Sequence, residues 1–150
     1  MLYDFFELGR STLRNKDELM AVLLGRSADG IFVVDSVREI SPEYADETSA
    51  VFSHGSLDSA LGILSEARKT APETDVVGFV HSHPNELETV LSVSDVDLHR
   101  YLLDELGISL SLLVNPQKRR LKAYYGHGLD TAEVLFLGTG MENSLWLIEN

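Results

Sequence analysis

The run Val76-Val77-Gly78-Phe79-Val80 is the feature that most restricts the fold. Short, apolar on both faces and carrying a central glycine, it is typical of a strand buried in the middle of a sheet. Around it the chain alternates between strand-like and helix-like patterns. Residues Leu57 to Lys69 place Leu57, Ala60, Leu61, Leu64 and Ala67 at helical spacing. A second helix is expected from Ser94 or Asp95 to about Leu106. It is supported by Val96, Leu98, Tyr101, Leu102 and Leu106, and Gly107 is a suitable stop. Leu19 to Leu24 and Ile31 to Val37 are apolar runs separated by a turn-rich stretch ending in Asp29-Gly30, which reads as a β-hairpin. Ile108 to Val114 and Leu121 to Tyr125 read as a second pair of that kind by the same criteria. Thr48 to Ser53 reads as a further short strand and Met1 to Leu13 as an amphipathic helix. The segments Ala132 to Leu137 and Ser144 to Ile148 read as additional strands or as packing surface. Helices and strands alternate with hairpins among them, so the fold class is α/β: a mixed β-sheet flanked by helices.

At 150 residues the chain is expected to form a single domain, 1–150. A domain of that size buries roughly two thirds of its unfolded surface and needs no metal or disulfide merely to stay folded. Twelve basic against 24 acidic residues give a formal charge of −12, which disfavours a general role on nucleic acid. The one basic cluster, Lys118-Arg119-Arg120 with Lys122, adjoins a turn at Asn115-Pro116 and reads as a solvated hairpin tip. No cysteine is present, which excludes disulfides, cysteine zinc knuckles and thiol nucleophiles. Asp4 and Glu7 interrupt the first ten residues, so no signal peptide is read there, and no apolar run approaches the length of a membrane span. A cytoplasmic location with no membrane partner is the expectation.

The chemistry is concentrated just past the central strand. His81-Ser82-His83-Pro84 follows it directly, and Ser92-Val93-Ser94-Asp95 follows after a short spacer. In an extended segment, residues two apart project from one face, so His81 and His83 can address the same ion. Two imidazoles and a carboxylate are the ligand set of a catalytic zinc that keeps a fourth position for water. Considered alone, Ser92-x-x-Asp95 is also a helix-capping arrangement, and Glu18 is one of 24 acidic residues.

Together these stretches resemble the JAMM (MPN+) metalloproteases. Residues Val77 to Pro84 and Leu91 to Asp95 follow that family's His-x-His-Pro, spacer, Ser-x-x-Asp pattern. The segment from Glu18 to Gly25 matches its second fingerprint, Glu-x-x-Gly-x-x-x-Gly, with Ala21 in place of the first glycine. The resemblance spans roughly residues 18–125. The spacer between His83 and Ser92 is one residue longer than the usual form. A second register, Ser94-x-x-Asp97, lengthens it by three and loses the Leu-Ser-x-x-Asp-apolar pattern, so Ser92 and Asp95 are preferred.

The resemblance implies a JAB1/MPN (cytidine-deaminase-like) architecture and one zinc ion held by His81, His83 and Asp95. It further implies Glu18 as general acid–base, Ser92 as donor to the oxyanion, and Pro84 as a brace for the loop after the second ligand. The implied reaction is cleavage of isopeptide or peptide bonds after the C-terminal glycine of ubiquitin or a ubiquitin-like protein. The chain lacks long insertions and is similar to the minimal, stand-alone prokaryotic form. The alternative is an inactive MPN-type scaffold, although such relatives usually lack several of the ligands kept here. His54, His99 and His127 read as surface or structural residues. Trp146 within Leu145 to Ile148 reads as core or as a contact in a homodimer.

Overall fold

Strands β1 (Met20–Ala28) and β2 (Ile31–Ile40) pair antiparallel and are joined by only two residues. Asp29 and Gly30 both have positive φ, 51° and 77°, the signs of the type I′ turn that matches the right-handed twist of paired strands. The hairpin therefore extends well into the stretch 26–30 that reads as loop by composition. The computed structural model describes residues 11–12, 18–40, 44–45, 50–51, 54–84, 90–134 and 147–149. Of the helix expected over the first 13 residues, only 11 and 12 fall among these, and both are helical. Trp146 and most of the two C-terminal segments lie outside them.

The remaining elements are β3 (Tyr44–Ala45), β4 (Ala50–Val51), α1 (His54–Ala67), β5 (Asp75–Ser82), α2 (Val93–Leu106), β6 (Leu110–Asn115), β7 (Arg120–Tyr125), β8 (Asp130–Ala132) and β9 (Leu147–Glu149). One sheet runs in the order β2-β1-β5-β6-β7-β8, with β9 also paired to β7, while β3 and β4 form a separate pair. β5 and β6 are parallel and α2 makes the crossover between them. β7 and β9 are also parallel, and the other pairs of this sheet are antiparallel. The protein is thus a mixed α/β fold built on a mixed sheet. The expected strand at 76–80 is its central β5, and the expected second hairpin is β6–β7.

The core has two apolar layers because side chains alternate along β1. Met20, Val22 and Leu24 pack with Ile40, Phe79, Ala60 and Leu64 of α1 and Leu102 of α2. Leu19, Ala21 and Leu23 pack with Val37, Val77, Val80, Leu110, Leu112, Val114, Leu121 and Ala123. Both described helices therefore cover the same face. Burying an aliphatic side chain of this size is worth about 1.5–3 kcal/mol, so β1, buried from Met20 to Leu24, anchors the fold.

Gly78 shows why the central run needs a glycine. A Cβ there would lie 2.5 Å from the Leu110 carbonyl oxygen and 2.8 Å from the Leu110 Cβ, across the β5–β6 pair. Gly78→Ala is expected to destabilise the protein by about 1–3 kcal/mol through overpacking. A fall in the urea midpoint with an unchanged slope would show this.

Candidate metal centre

Strand parity decides where the chemically reactive residues point. Met20, Val22 and Leu24 face the helix side, and Glu18, just ahead of β1, has the same parity. On β5, Phe79 faces the helix side, which places His81, and His83 beyond it, on that side too. Met20 and His81 are direct cross-strand partners. The ladder continues past the strand ends: Ser82 N–H donates to Leu19 O at 3.0 Å, and His83 N–H donates to Val114 O at 2.9 Å. His83 is therefore held in place by β6 although it lies outside β5. The cluster sits at the carboxyl ends of the parallel pair, where open α/β sheets place their ligand sites.

Asp95 arrives from the opposite direction, in the first turn of α2. Ser92 is the N-cap, and its Oγ accepts from Asp95 N–H at 3.2 Å. Ser92 N–H in turn donates to Asp95 Oδ2 at 2.6 Å, completing a capping box. The capping reading and the ligand reading of Ser92-x-x-Asp95 are thus compatible, because the cap fixes the carboxylate that faces the histidines. Asp95 Oδ1 is 3.2 Å from His81 Nε2, and Asp95 Oδ2 is 3.6 Å from His83 Nε2. Glu18 Oε1 is 3.7 Å from the same His83 nitrogen. The two imidazoles meet edge to face with centroids 5.2 Å apart. Asp97, the acid of the second register, is exposed and outside this group.

Glu18, His81 and His83 are buried, and the Asp95 side chain is 14% exposed. Burial alone would push the Asp95 carboxyl up. The close approach of the His81 and His83 imidazoles, the charge of His81 and the Ser92 hydrogen bond outweigh it and hold the group well below the usual carboxylate range.

His81, His83 and Asp95 can hold a divalent metal ion. Their ligand atoms all lie within 4.8 Å of one another. The 3.2 Å separation of Asp95 Oδ1 from His81 Nε2 is close to the edge of about 3.3 Å expected for a tetrahedron with bonds of 2.0–2.1 Å. His81 Nε2 is buried and has no hydrogen-bond partner despite its nearness to Asp95. A buried polar atom in that condition is costly unless something coordinates it. A divalent cation would also offset the two carboxyl groups, Glu18 and Asp95, that the fold brings to His83.

Ser92 is exposed, and the cap uses its Oγ only as an acceptor. It also shares a 2.9 Å hydrogen bond with Ser94 Oγ, in which either hydroxyl can be the donor. Pro84 is buried behind the second histidine. His99 is structural: its Nδ1 is 2.7 Å from Ser111 Oγ and its Nε2 is 3.0 Å from Gly126 O, tying α2 to β6 and the end of β7. His127 is exposed, 3.6 Å from Asp104. His54 opens α1. Lys118 and Arg119 are exposed at the β6–β7 turn, as a solvated tip would be. A cavity of about 250 Å³ lies at the other end of β5, lined by Asp75, Val76 and Ile108 among others, and includes none of the site residues.

Two residues near the site escape the motif reading. Ser82, between the histidines, and Thr12 are fully buried and joined by a 2.6 Å hydroxyl–hydroxyl hydrogen bond. Ser82 stands inside the motif, so its position was visible. Nothing in the local pattern marks Thr12.

No protein-family model matches the chain, and no curated protein does. Among solved structures, it is similar to the solution structure of protein DSY2949 from Desulfitobacterium hafniense, with a TM-score of 0.67 and 21% identity. The match covers 89% of this chain and 88% of that one. At that identity the likeness concerns the fold. Among the described residues, no helix is long and apolar enough to cross a membrane.

Proposed function

We propose that this chain is a zinc-dependent isopeptidase or peptidase of the JAMM type, with the JAB1/MPN architecture, cleaving after the C-terminal glycine of ubiquitin or a ubiquitin-like modifier. One observation carries the reading. Glu18, His81, His83 and Asp95, drawn from three separate parts of the chain, meet in one buried cluster at the carboxyl ends of β5 and β6. That is the set, in the order, that the motif resemblance implies.

His81, His83 and Asp95 would hold the zinc. When bound, zinc supplies a Lewis acid that makes a water nucleophilic near neutral pH and polarises the scissile carbonyl. Glu18, next to His83, accepts the proton of the attacking water and returns it to the leaving amine. Ser92 donates its hydroxyl hydrogen to the oxyanion that develops, with Ser94 Oγ as its alternative partner. An extended modifier tail docks beside a strand through backbone hydrogen bonds, and its glycines pass where a side chain would not.

The test is metal analysis of the purified protein followed by incubation with a panel of ubiquitin-like C-terminal conjugates. The expected result is one zinc per chain and cleavage after the terminal glycine, abolished by a chelator and restored by zinc. A protein that holds one zinc yet cleaves nothing on the panel would favour the scaffold alternative. A protein that binds no zinc would remove the proposal.

A further inference from the structure

Glu18 leads into β1 and the histidine pair lies at the end of β5, so something must set the distance between them. Ser82 occupies the necessary place. It stands between the two candidate ligands, it is fully buried, and its Oγ accepts from Leu19 N–H at 3.0 Å, on the residue next to Glu18. Its own N–H donates to Leu19 O, also at 3.0 Å. Backbone and side chain of Ser82 therefore grip the same residue from both ends. Thr12 Oγ1, 2.6 Å from Ser82 Oγ, completes a buried hydroxyl pair behind the site.

A serine hydroxyl has one hydrogen and two acceptor lone pairs. Because Leu19 N–H occupies one lone pair, Ser82 can still donate to Thr12 or accept from it, and either direction leaves the grip on Leu19 intact. Alanine here would leave the Leu19 amide without this partner beside the residue that must act on the water. Displacements of about 1 Å in a catalytic group are enough to cost of order a hundredfold in rate.

We infer that Ser82 is a positioning residue: through Leu19 it fixes Glu18 relative to the metal ligands, and Thr12 steadies its hydroxyl. This inference rests on the proposed reaction for its catalytic consequence, but the grip on Leu19 can be measured without any substrate.

The experiment compares Ser82→Ala, Ser82→Thr and Thr12→Val with the wild type. Three quantities are read: zinc content, hydrogen exchange at the Leu19 amide, and kcat and KM on a cleavable conjugate. For Ser82→Ala the expected result is unchanged zinc stoichiometry, faster exchange at Leu19, and a fall in kcat of about 10- to 100-fold with KM little changed. Ser82→Thr keeps the hydroxyl and should restore both the exchange rate and kcat. Thr12→Val should give an intermediate loss of kcat with zinc retained. If Ser82→Ala does not fold, the Thr12→Val and Ser82→Thr pair still decides the matter.

Wild-type kcat in Ser82→Ala, or in Thr12→Val if Ser82→Ala does not fold, would overturn the positioning role. So would Leu19 exchange unaltered in Ser82→Ala. A wild type that cleaves nothing would count against the proposed reaction, while the exchange data would still report on the grip.

Discussion

Glu18→Gln is expected to lower turnover by about 10²- to 10⁴-fold, the usual contribution of a positioned general base, while zinc remains bound at one ion per chain. Glu18 lies 3.7 Å from His83 and outside the three-residue ligand cluster, so the ligands survive its replacement. Glutamine keeps the size of the side chain and a carbonyl oxygen to face His83, but it cannot take a proton from water. The fall should therefore appear in kcat, with KM little changed. Steady-state kinetics on a cleavable conjugate, with zinc measured on the same preparation, separates the outcomes. Near-normal turnover would show that the proton acceptor has been misassigned, and loss of zinc would move Glu18 into the ligand set.

Asp95→Ala should be the more damaging change, because this carboxylate serves two structures at once. It faces both imidazoles, at 3.2 and 3.6 Å, and it closes the capping box of α2 through Ser92 N–H. Its loss should abolish zinc binding and activity together and loosen the first turn of the helix. Ser92→Ala is the control for the cap: it should cost about 0.5–2 kcal/mol of stability and retain the metal. Thermal melting with and without zinc distinguishes the two variants. A ligand at a thousand times its dissociation constant stabilises the folded state by about 4 kcal/mol, so the wild type and Ser92→Ala should melt higher with zinc. Asp95→Ala should show no zinc-dependent shift, and a shift of wild-type size would mean that Asp95 is not a ligand.

The parts of the fold legible in the sequence were those where local pattern and tertiary environment agree. Val76 to Val80 is apolar on both faces because β5 lies between β1 and β6 with a packed layer on each side. Helix α2 ends where Gly107 was expected to stop it, with φ at 68° and its N–H bonded back to Leu102 O and Leu103 O. Composition was a poorer guide at Arg26 to Gly30, since a two-residue turn lets strands run through residues that look like loop. The i, i+2 spacing showed that the histidines share a face, and pairing in the sheet then supplied what spacing could not, namely that Glu18 faces the same way. His99 read equally as surface or structural, because its partners Ser111 and Gly126 are brought to it by β6 and β7.

The cluster has a history as well as a geometry. Leu19 and Ser82, the contact that brings Glu18 to the histidines, are 63 residues apart in the chain. Strand pairing across such a distance is slow, because the loop entropy is lost before the contacts reward it. The His-x-His and Ser-x-x-Asp pieces can each take shape locally, but neither offers a complete coordination sphere by itself. The three-residue cluster is therefore complete only once α2 has docked onto the sheet, and Glu18 joins it only with β1 in place. For the proposed reaction, a nascent or half-folded chain lacks the complete centre, because Glu18 reaches the histidines only when β1 pairs with β5.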